Sequence, residues 1–408
     1  MATDSVATDS VATGGGDPGL RVAVVGPTHP YKGGVAAHTT ELAHRLAAAG
    51  HDTVLVSWSR LYPAALYPGE QAVPDGAPDL PPYPRTVRML RWDRPGTWWR
   101  AGARLRDVDL VVLAVVVPVQ VPALRVLLRA LRAGAARPRV VVVAHNVVPH
   151  EPHPGDAWLM GRLLATADAV LVHSAQLADQ AVAIGARQVC VADLPPHLPG
   201  GVAEPGPGPG PAPGPLRGQA DGTHRGERRT RVLALGMVRE YKGFDLLLEA
   251  AAQVSDVEVT VAGEQWGRAG ERLRALAQDP RLAGRVRLEA GYVPGERVAV
   301  LAATHDVLAL PYRHATASQN VALAHAHRLP VVASATGTFP AQVRDGVDGL
   351  VVPPGDVVAL AAALREVAVP ARLAQLRGGV PAVDLDGPWR RYLRALVADL
   401  GPRAGERA

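Results

Sequence analysis

The feature that most constrains this chain of 408 residues is an alternation of short apolar strands and helices that occurs twice. In the first half, the β-branched runs RVAVV, DLVVLAVVV and RVVVVA each end in a loop that leads to a helical pattern. The second half restarts the alternation at Arg231. Strands that alternate with helices form parallel sheets with both faces covered. The sequence therefore predicts an α/β protein with two doubly wound, Rossmann-like domains.

Composition marks the limits of these domains. Residues 1–19 contain the repeat ATDSV twice and have neither a basic start nor an apolar core, which predicts a disordered tail instead of a signal peptide. Residues 197–230 are rich in proline and glycine, as is typical of a linker. We expect an N-terminal domain at 20–196, a C-terminal domain at 231–380, and a final amphipathic helix with its tail at 381–408.

The first domain should contain four or five parallel strands, and one of its segments has no clean period. This segment, from Ser59 to Arg100, is rich in proline and contains Trp92, Trp98 and Trp99. It is predicted to be a long insertion of loops with a short helix near its end. Loops of this length usually shape a binding site.

One stretch of the second half, RVLALGMVREYKGFDLLLEAAAQ, has the features of an anion site. A strand ends at Gly236, a turn carries Arg239 and Lys242, and a helix follows. Unpaired backbone N–H groups and the positive end of a helix dipole favour an anion at such a turn, and the two cations strengthen the attraction. Lys242 and Lys32 are the chain's only lysines. The alternative is that both are ordinary solvated turn residues.

The charge of the whole chain fits an anionic partner. The net charge is +5 and the pI is near 9.6, which suits a nucleotide-sugar, a nucleic acid or a membrane surface. The absence of helix-turn-helix and zinc signatures argues against nucleic acid. The single cysteine, Cys190, excludes an internal disulfide framework and fits a reducing cytoplasm.

A predicted helix in the first half has a basic face of its own. It runs from Leu124 to Arg132 and places Arg125, Arg129 and Arg132 on one side. This face is either a solvated surface or a peripheral contact with anionic lipid.

These motifs, in this order, resemble the family-4 (group 1), retaining GT-B glycosyltransferases. The resemblance lies in GPTHPYKGGVAAHTTELAHRLAAAGH of the first half and in GMVREYKGFDLLLEA, VAGE, LPYRHATASQNVALAHAHRLPVVAS and DGVDGLVVPPGD of the second. It implies GT-B architecture, in which two Rossmann-like domains face a central cleft and the C-terminal helix returns to the first domain. It also implies hexosyl transfer from a nucleotide-diphosphate donor to an acceptor hydroxyl with retention at the anomeric carbon. Such an enzyme would be cytoplasmic, with or without a peripheral position on the inner membrane face, and would need no metal or cofactor.

The resemblance also implies roles for particular residues. Arg239 and Lys242 match the pair that binds the donor diphosphate, and Gly33 and Gly34 match the loop that borders phosphate and acceptor. His145 matches a histidine that contacts the donor sugar, although the residues alone also allow a buried core histidine.

Other implied contacts come from loops. Backbone amides that would bind the diphosphate belong to Ser318, Gln319, Asn320 and Val321, with Ser318 or Asn320 as the helix cap. His150 and Glu151 would shape the acceptor side. For His173 the sequence favours neither a site residue nor a buried core residue.

The sequence departs from the family pattern at its acidic residues. The positions of two common glutamates hold Ala315 and Leu323, and a third acidic position holds Ala341. This pattern indicates a branch that lacks the paired glutamates. It also leaves open a catalytically degenerate protein that binds a sugar-nucleotide or a partner on the same fold.

Overall fold

The computed structural model describes most of residues 19–402. Seven gaps interrupt this range, at residues 62, 64–70, 74–79, 116, 150–152, 199–227 and 316–317. The predicted tail, most of the predicted linker, and His150 and Glu151 therefore lie outside the described residues.

The first domain is a parallel sheet of seven strands in the order β3-β2-β1-β4-β5-β6-β7. Its central strands are uninterrupted apolar runs because helices cover both faces. The strands are β1 (Arg21–Val25), β2 (Asp52–Arg60), β3 (Thr86–Arg91), β4 (Leu110–Val115), β5 (Arg139–Ala144), β6 (Ala169–Val172) and β7 (Val189–Val191). The helices are α1 (Gly34–Ala48), α2 (Pro95–Arg104), α3 (Val121–Arg132), α4 (Asp156–Leu164) and α5 (Ala175–Ala183).

The prediction of four or five strands was wrong. The segment from Ser59 to Arg100 has the short helix predicted near its end, where α2 begins, but it also contains a strand that was not predicted. β3 lies within that segment and pairs with β2. Both missed strands, β3 and β7, are at the edges of the sheet. β3 is polar for a strand because one side of it is open, and β7 has only three residues, so neither shows the apolar run of a central strand.

The second domain is a parallel sheet of six strands in the order β10-β9-β8-β11-β12-β13. The strands are β8 (Thr230–Leu235), β9 (Val257–Gly263), β10 (Val286–Ala290), β11 (Val307–Leu310), β12 (Val331–Ser334) and β13 (Gly349–Val352). The helices are α6 (Phe244–Ala251), α7 (Gly267–Leu276), α8 (Gly295–Thr304), α9 (Asn320–Ala326), α10 (Phe339–Gln342), α11 (Val357–Val367) and α12 (Pro370–Gly379). α10, α11 and α12 were not predicted from the sequence.

The last helix, α13 (Asp386–Leu393), returns to the first domain as predicted and continues as a π-helical segment, Arg394–Asp399. Trp389, Tyr392 and Leu396 are fully buried in a core shared with α1 and the first sheet. The indole Nε1 of Trp389 donates a hydrogen bond to the carbonyl of Pro196 at 2.8 Å.

The helices of the first domain thus form two layers. α1 and α13 cover one face of the sheet, whereas α2, α3, α4 and α5 cover the other. In the part of the chain that the structure describes, no helix has both the length and the apolar character needed to span a bilayer.

Candidate functional site

The centre of the candidate site is the turn between β8 and α6. β8 ends at Leu235, and Gly236 leaves it with a φ of 112°. A short 3₁₀ turn, Glu240–Lys242, then leads through Gly243, at a φ of 63°, to the first residue of α6. Positive φ angles favour glycine, so the two glycines allow the chain to reverse direction within a few residues. The turn therefore places Lys242 back over the end of the strand.

Gly236 and Lys242 are in direct contact. A Cβ atom on Gly236 would lie 2.7 Å from Nζ of Lys242, so any other residue here would displace the ammonium group. The same Nζ lies 5.9 Å from the ring centre of Phe244 and 5.7 Å from that of Tyr312. Aromatic faces attract a cation at these distances. The ammonium group is thus held in a defined position at the end of the sheet.

The environment of Lys242 lowers its pKa to about 8. Burial is the main cause, because it disfavours the charged ammonium, and the positive charge of Arg239 adds to it. No carboxylate of the described residues counters these effects. A buried cation without an acidic partner is costly unless it meets an anion. This turn therefore has the electrostatic character of an anion site.

Arg239 is the second cation of the turn. Its Cζ lies 5.5 Å from the ring centre of Trp266, which follows β9, and its Nε lies 3.2 Å from Sδ of Met237. The side chain is half-buried. The guanidinium group of Arg239 therefore packs against the ring of Trp266, and the side chain remains partly exposed to solvent.

The loop before α9 is tied to the same strand end. Nδ2 of Asn320 donates hydrogen bonds to the carbonyl of Leu235 at 3.2 Å and to the hydroxyl of Tyr312 at 3.3 Å. Burial raises the pKa of Tyr312. Tyr312 thus lies between Lys242 and Asn320, and the structure brings the two predicted groups of site residues together around it.

The other predicted residues of this loop have different positions. Oγ of Ser318 accepts a hydrogen bond from the backbone N–H of Asn320 at 3.2 Å. The N-cap of α9 is Gln319, whose side chain does not cap the helix, so the prediction of Ser318 or Asn320 as the cap was wrong. Oε1 of Gln319 accepts from the backbone N–H of His197 at 3.2 Å, which connects this loop to the end of the first domain. Val321 is buried.

Gly33 and Gly34 belong to the first domain and begin α1. Gly33 has a φ of 103°, and the space around it is open. A Cβ on Gly34 would lie 3.8 Å from Nε2 of His197. The preceding residue, Lys32, forms a 2.6 Å ion pair with Glu264 at the end of β9, and both side chains are almost fully buried. Lys32 is thus neither solvated nor open to a phosphate.

His145 follows β5 and belongs to a buried cluster of four histidines, which we call the histidine cluster: His38, His145, His173 and His197. The ring of His38 lies 4.8 Å from that of His145 and 5.5 Å from that of His197. Nε2 of His173 and Nδ1 of His145 share a hydrogen bond at 3.2 Å. Nε2 of His145 and Nε2 of His197 are buried without a hydrogen-bond partner.

Burial and mutual repulsion keep this cluster neutral. The pKa of His38 and that of His145 lie well below 6.5, and burial lowers the pKa of His173 and of His197 to about 4. The cluster also contacts the last helix, because the ring of Trp389 stacks on His38 at 5.5 Å. Within the described ranges, no group of three or more histidine, cysteine or acidic residues is arranged to hold a metal ion.

Several residues of the site were not found from the sequence. Tyr312 and Trp266 support Lys242 and Arg239, Glu264 pairs with Lys32, and His38 and His197 complete the histidine cluster. The sequence signal that could have identified three of them is their position directly after a strand of the second sheet, where ligands of such folds bind. These three are Tyr312, Trp266 and Glu264. His38 lies in a helix, where nothing in the sequence distinguishes it.

The positions of the missing glutamates are occupied without an acidic substitute. The backbone N–H of Ala315 donates to Oγ1 of Thr336 at 3.3 Å, and Leu323 is buried among apolar residues. No carboxylate comes from either position.

Two family models match this chain. Residues 32–192 match the family described as Glycosyltransferase Family 4, and residues 229–368 match the family described as Glycosyl transferases group 1. Together the two matched segments cover most of the chain and both of its sheets.

Curated sequence relatives match it over shorter lengths. The D-inositol 3-phosphate glycosyltransferase of Mycobacterium sp. strain KMS is 37% identical over 133 residues, which are 32% of this chain and 30% of the relative. D-inositol 3-phosphate glycosyltransferase 1 of Catenulispora acidiphila is 29% identical over 258 residues, or 58% of this chain and 57% of the relative. The chain thus matches less than two thirds of the length of these curated relatives.

Solved structures match over nearly the whole length. Sucrose-phosphate synthase from Thermosynechococcus elongatus has a TM-score of 0.65 at 18% identity and covers 93% of this chain and 97% of its own. Anabaena HepE in complex with UDP-glucose has a TM-score of 0.63 at 14% identity, with coverages of 91% and 95%. At these identities the similarity concerns the fold, and it agrees with the two parallel sheets and the returning helix. This protein therefore belongs to the family-4, group 1 glycosyltransferases and has their two-domain GT-B architecture.

Proposed function

We propose that this protein transfers a hexosyl group from a nucleotide-diphosphate sugar to an acceptor hydroxyl, with retention at the anomeric carbon and without a metal ion. The observation that carries the proposal is Lys242: a partly buried ammonium group, fixed over Gly236 and beside Arg239, with no acidic partner among the described residues. A diphosphate is the ligand that compensates two adjacent cations at the end of a parallel strand.

The two cations would meet the main chemical requirement of the reaction, which is to stabilise the leaving group. When the sugar leaves its donor, negative charge develops on the departing diphosphate. Arg239 and Lys242 are already in place to stabilise that charge, and preorganised donors of this kind lower the barrier without rearranging. They also supply the positive charge that a metal ion supplies in other transferases, which supports a metal-independent reaction. Retention is proposed from the resemblance to the retaining family.

On this proposal His145 contacts the donor sugar. Its Nδ1 is occupied by His173, whereas its Nε2 is buried without a partner and remains available for a sugar hydroxyl. Gly33 and Gly34 would border the acceptor, because they open the first-domain helix beside the same cluster. The backbone amides of Ser318, Gln319, Asn320 and Val321 would contact the diphosphate.

The comparisons give a starting point for the donor. HepE was solved with UDP and with UDP-glucose, and the matching Mycobacterium enzyme is named for an inositol phosphate acceptor. UDP-sugars are therefore the first donors to test. Nucleotide-sugars are made in the cytoplasm, and the single cysteine fits that compartment.

A second candidate is a non-catalytic protein that binds a sugar-nucleotide on the same fold. It is favoured by Ala315 and Leu323, which leave the sugar and ribose without the family's usual carboxylates.

Donor hydrolysis separates the two candidates. The purified protein is incubated with a panel of nucleotide-sugars, with no acceptor added, and released nucleoside diphosphate is measured. The transferase proposal expects slow release from at least one donor, undiminished by EDTA, and the proton NMR coupling of the first sugar product shows whether its configuration is retained. Tight binding of a nucleoside diphosphate with no release from any donor would favour the second candidate.

A further inference from the structure

Three neighbouring helices of the first domain present a basic outer surface. α2, α3 and α4 together contain six arginines and one carboxylate. The carboxylate, that of Asp156, already accepts a hydrogen bond from the backbone N–H of His153 at 2.9 Å. The arginines are Arg100, Arg104, Arg125, Arg129, Arg132 and Arg162. We call this surface the α2–α4 face.

The three helices form one continuous surface. α2 and α3 are packed backbone to backbone, since a Cβ on Gly102 would lie 2.1 Å from the carbonyl oxygen of Leu127. A groove of about 240 Å³ runs between α3 and the end of α4. Its lining residues are Arg125, Leu128, Arg129, Arg132, Ala133 and Thr166.

The arginines of this groove differ in their partners. Nη2 of Arg132 donates to the carbonyl of Thr166 at 2.5 Å and lies 3.4 Å from Oδ1 of Asp168. Arg125 and Arg129, by contrast, form no ion pair with any carboxylate of the described residues. The groove therefore contains two cations that can meet an external anion.

Two large apolar side chains stand on the same face. The exposed fraction is 48% for Trp99 on α2 and 62% for Trp158 on α4, and Cζ of Arg162 lies 5.3 Å from the ring centre of Trp158. Both tryptophans lie in the first half of their helices. Because each helix follows a parallel strand, both indoles are near the carboxyl edge of the sheet, the edge that carries the candidate site. Most of the arginines lie farther along the helices.

We propose that the α2–α4 face docks on the surface of an anionic lipid bilayer. Tryptophan prefers the boundary between headgroups and acyl chains, and arginine binds the phosphates of the headgroup layer. On this face both tryptophans lie nearer the carboxyl edge and most of the arginines lie farther along the helices, with Arg162 beside Trp158 as an exception. This arrangement fits the two layers of a bilayer surface better than a nucleic-acid groove, in which aromatic side chains would be interleaved with the arginines along the whole length. Docking in this way holds the carboxyl edge of the first domain beside the membrane.

Vesicle flotation tests this proposal with the full-length protein. Vesicles of phosphatidylcholine containing phosphatidylglycerol are compared with vesicles of phosphatidylcholine alone, at rising concentrations of NaCl. We expect binding to the anionic vesicles that weakens with salt, because the arginine contribution is screened. Arg125→Ser with Arg129→Ser should reduce the partition coefficient by about tenfold or more. Trp99→Ser with Trp158→Ser should weaken binding at every salt concentration.

Matched controls come from the second domain. Arg268→Ser with Arg274→Ser removes two exposed arginines elsewhere, and Val358→Ser removes an apolar side chain that is 71% exposed. These variants should float like the wild type, and the melting temperature of every variant should remain unchanged. The proposal is overturned if the protein fails to bind anionic vesicles, if the controls lose binding as strongly as the face variants, or if single-stranded RNA displaces it at salt concentrations where vesicles do not.

Discussion

At the scale of single residues, the proposed function depends most on Lys242. Its burial could not be predicted from the sequence, although its presence in a turn after a strand could. Of the residues that surround its ammonium group, Gly236 and Phe244 belong to the same turn as Lys242, whereas Tyr312 follows β11, about 70 residues farther along the chain. Their convergence is a property of the fold, and the lowered pKa follows from it.

The pKa of Lys242 predicts how activity depends on pH. The group is protonated below about pH 8 and loses its proton above that value. On the proposed function only the charged form stabilises the leaving diphosphate, so we expect kcat/KM to fall as the pH rises through about 8. A pH profile of kcat/KM measures this directly. A profile that is flat up to pH 9.5 would show that Lys242 does not act as the charged donor.

The sequence was also ambiguous about individual histidines. His145 was predicted to contact the donor sugar, with a buried core histidine as the alternative, and the structure gives it features of both. One ring nitrogen is occupied by His173 and the other is buried without a partner. Lys32 is neither a phosphate contact nor a solvated turn residue, which were its two predicted roles. Its ion pair could not be predicted because its partner, Glu264, lies 232 positions away in the sequence and in the other domain.

At the scale of elements, central strands and their helices were predicted well, whereas edge elements were not. Central strands such as β5 are recognisable in the sequence as uninterrupted runs of β-branched residues, because helices cover both of their faces. β3 and β7 are partly exposed, so their composition resembles that of loops. The spacing of Trp389, Tyr392, Leu393 and Leu396 predicted an amphipathic helix, and its return to the first domain was implied by the family resemblance. Trp389, Tyr392 and Leu396 are fully buried.

Burial of the histidine cluster makes stability depend on pH. The pKa of His173 and that of His197 are lowered to about 4, below the value near 6.5 expected in the unfolded chain. The unfolded state therefore binds more protons between those values, and stability falls as the pH falls from 6.5 towards 4. Each histidine contributes about 3 kcal/mol to this loss over the full window.

Urea unfolding at a series of pH values tests this expectation. The free energy of unfolding should be constant near pH 7 and decline steadily below pH 6.5. In His173→Asn, an amide can replace the ring N–H toward the carbonyl of Ala192. The slope of the free energy of unfolding against pH should then be smaller by the equivalent of about one bound proton. His153→Asn is the control, because that side chain is 82% exposed. Equal slopes for the wild type and His173→Asn would rule out a contribution from His173.

At the scale of the whole molecule, Lys32 and Glu264 join the two domains. Their ion pair connects the loop before α1 to the end of β9, and Nζ of Lys32 also lies 5.1 Å from the ring centre of Tyr292. A buried charge that loses its partner is destabilising, so each single substitution should favour an open arrangement of the domains.

A charge exchange separates this pairing from other roles of the two residues. Lys32→Ala and Glu264→Ala should each enlarge the radius of gyration in small-angle X-ray scattering and raise KM for the donor. The exchanged variant, Lys32→Glu with Glu264→Lys, should recover part of both losses, because it restores an ion pair across the domains. Arg281→Ala, at an exposed pair with Asp279, is the neutral control. If the exchanged variant behaves no better than the worse single variant, the pairing is not what joins the domains.

The central claim is that the turn between β8 and α6 binds the diphosphate of a sugar donor and stabilises it as it leaves. The most direct test is the turnover of Lys242→Ala with a donor identified in the nucleotide-sugar panel, beside Arg274→Ala as an exposed control. We expect turnover of Lys242→Ala to fall by about 100-fold or more, with a melting temperature equal to or above that of the wild type, because an uncompensated buried charge is removed. Wild-type turnover in a folded Lys242→Ala protein would contradict the account.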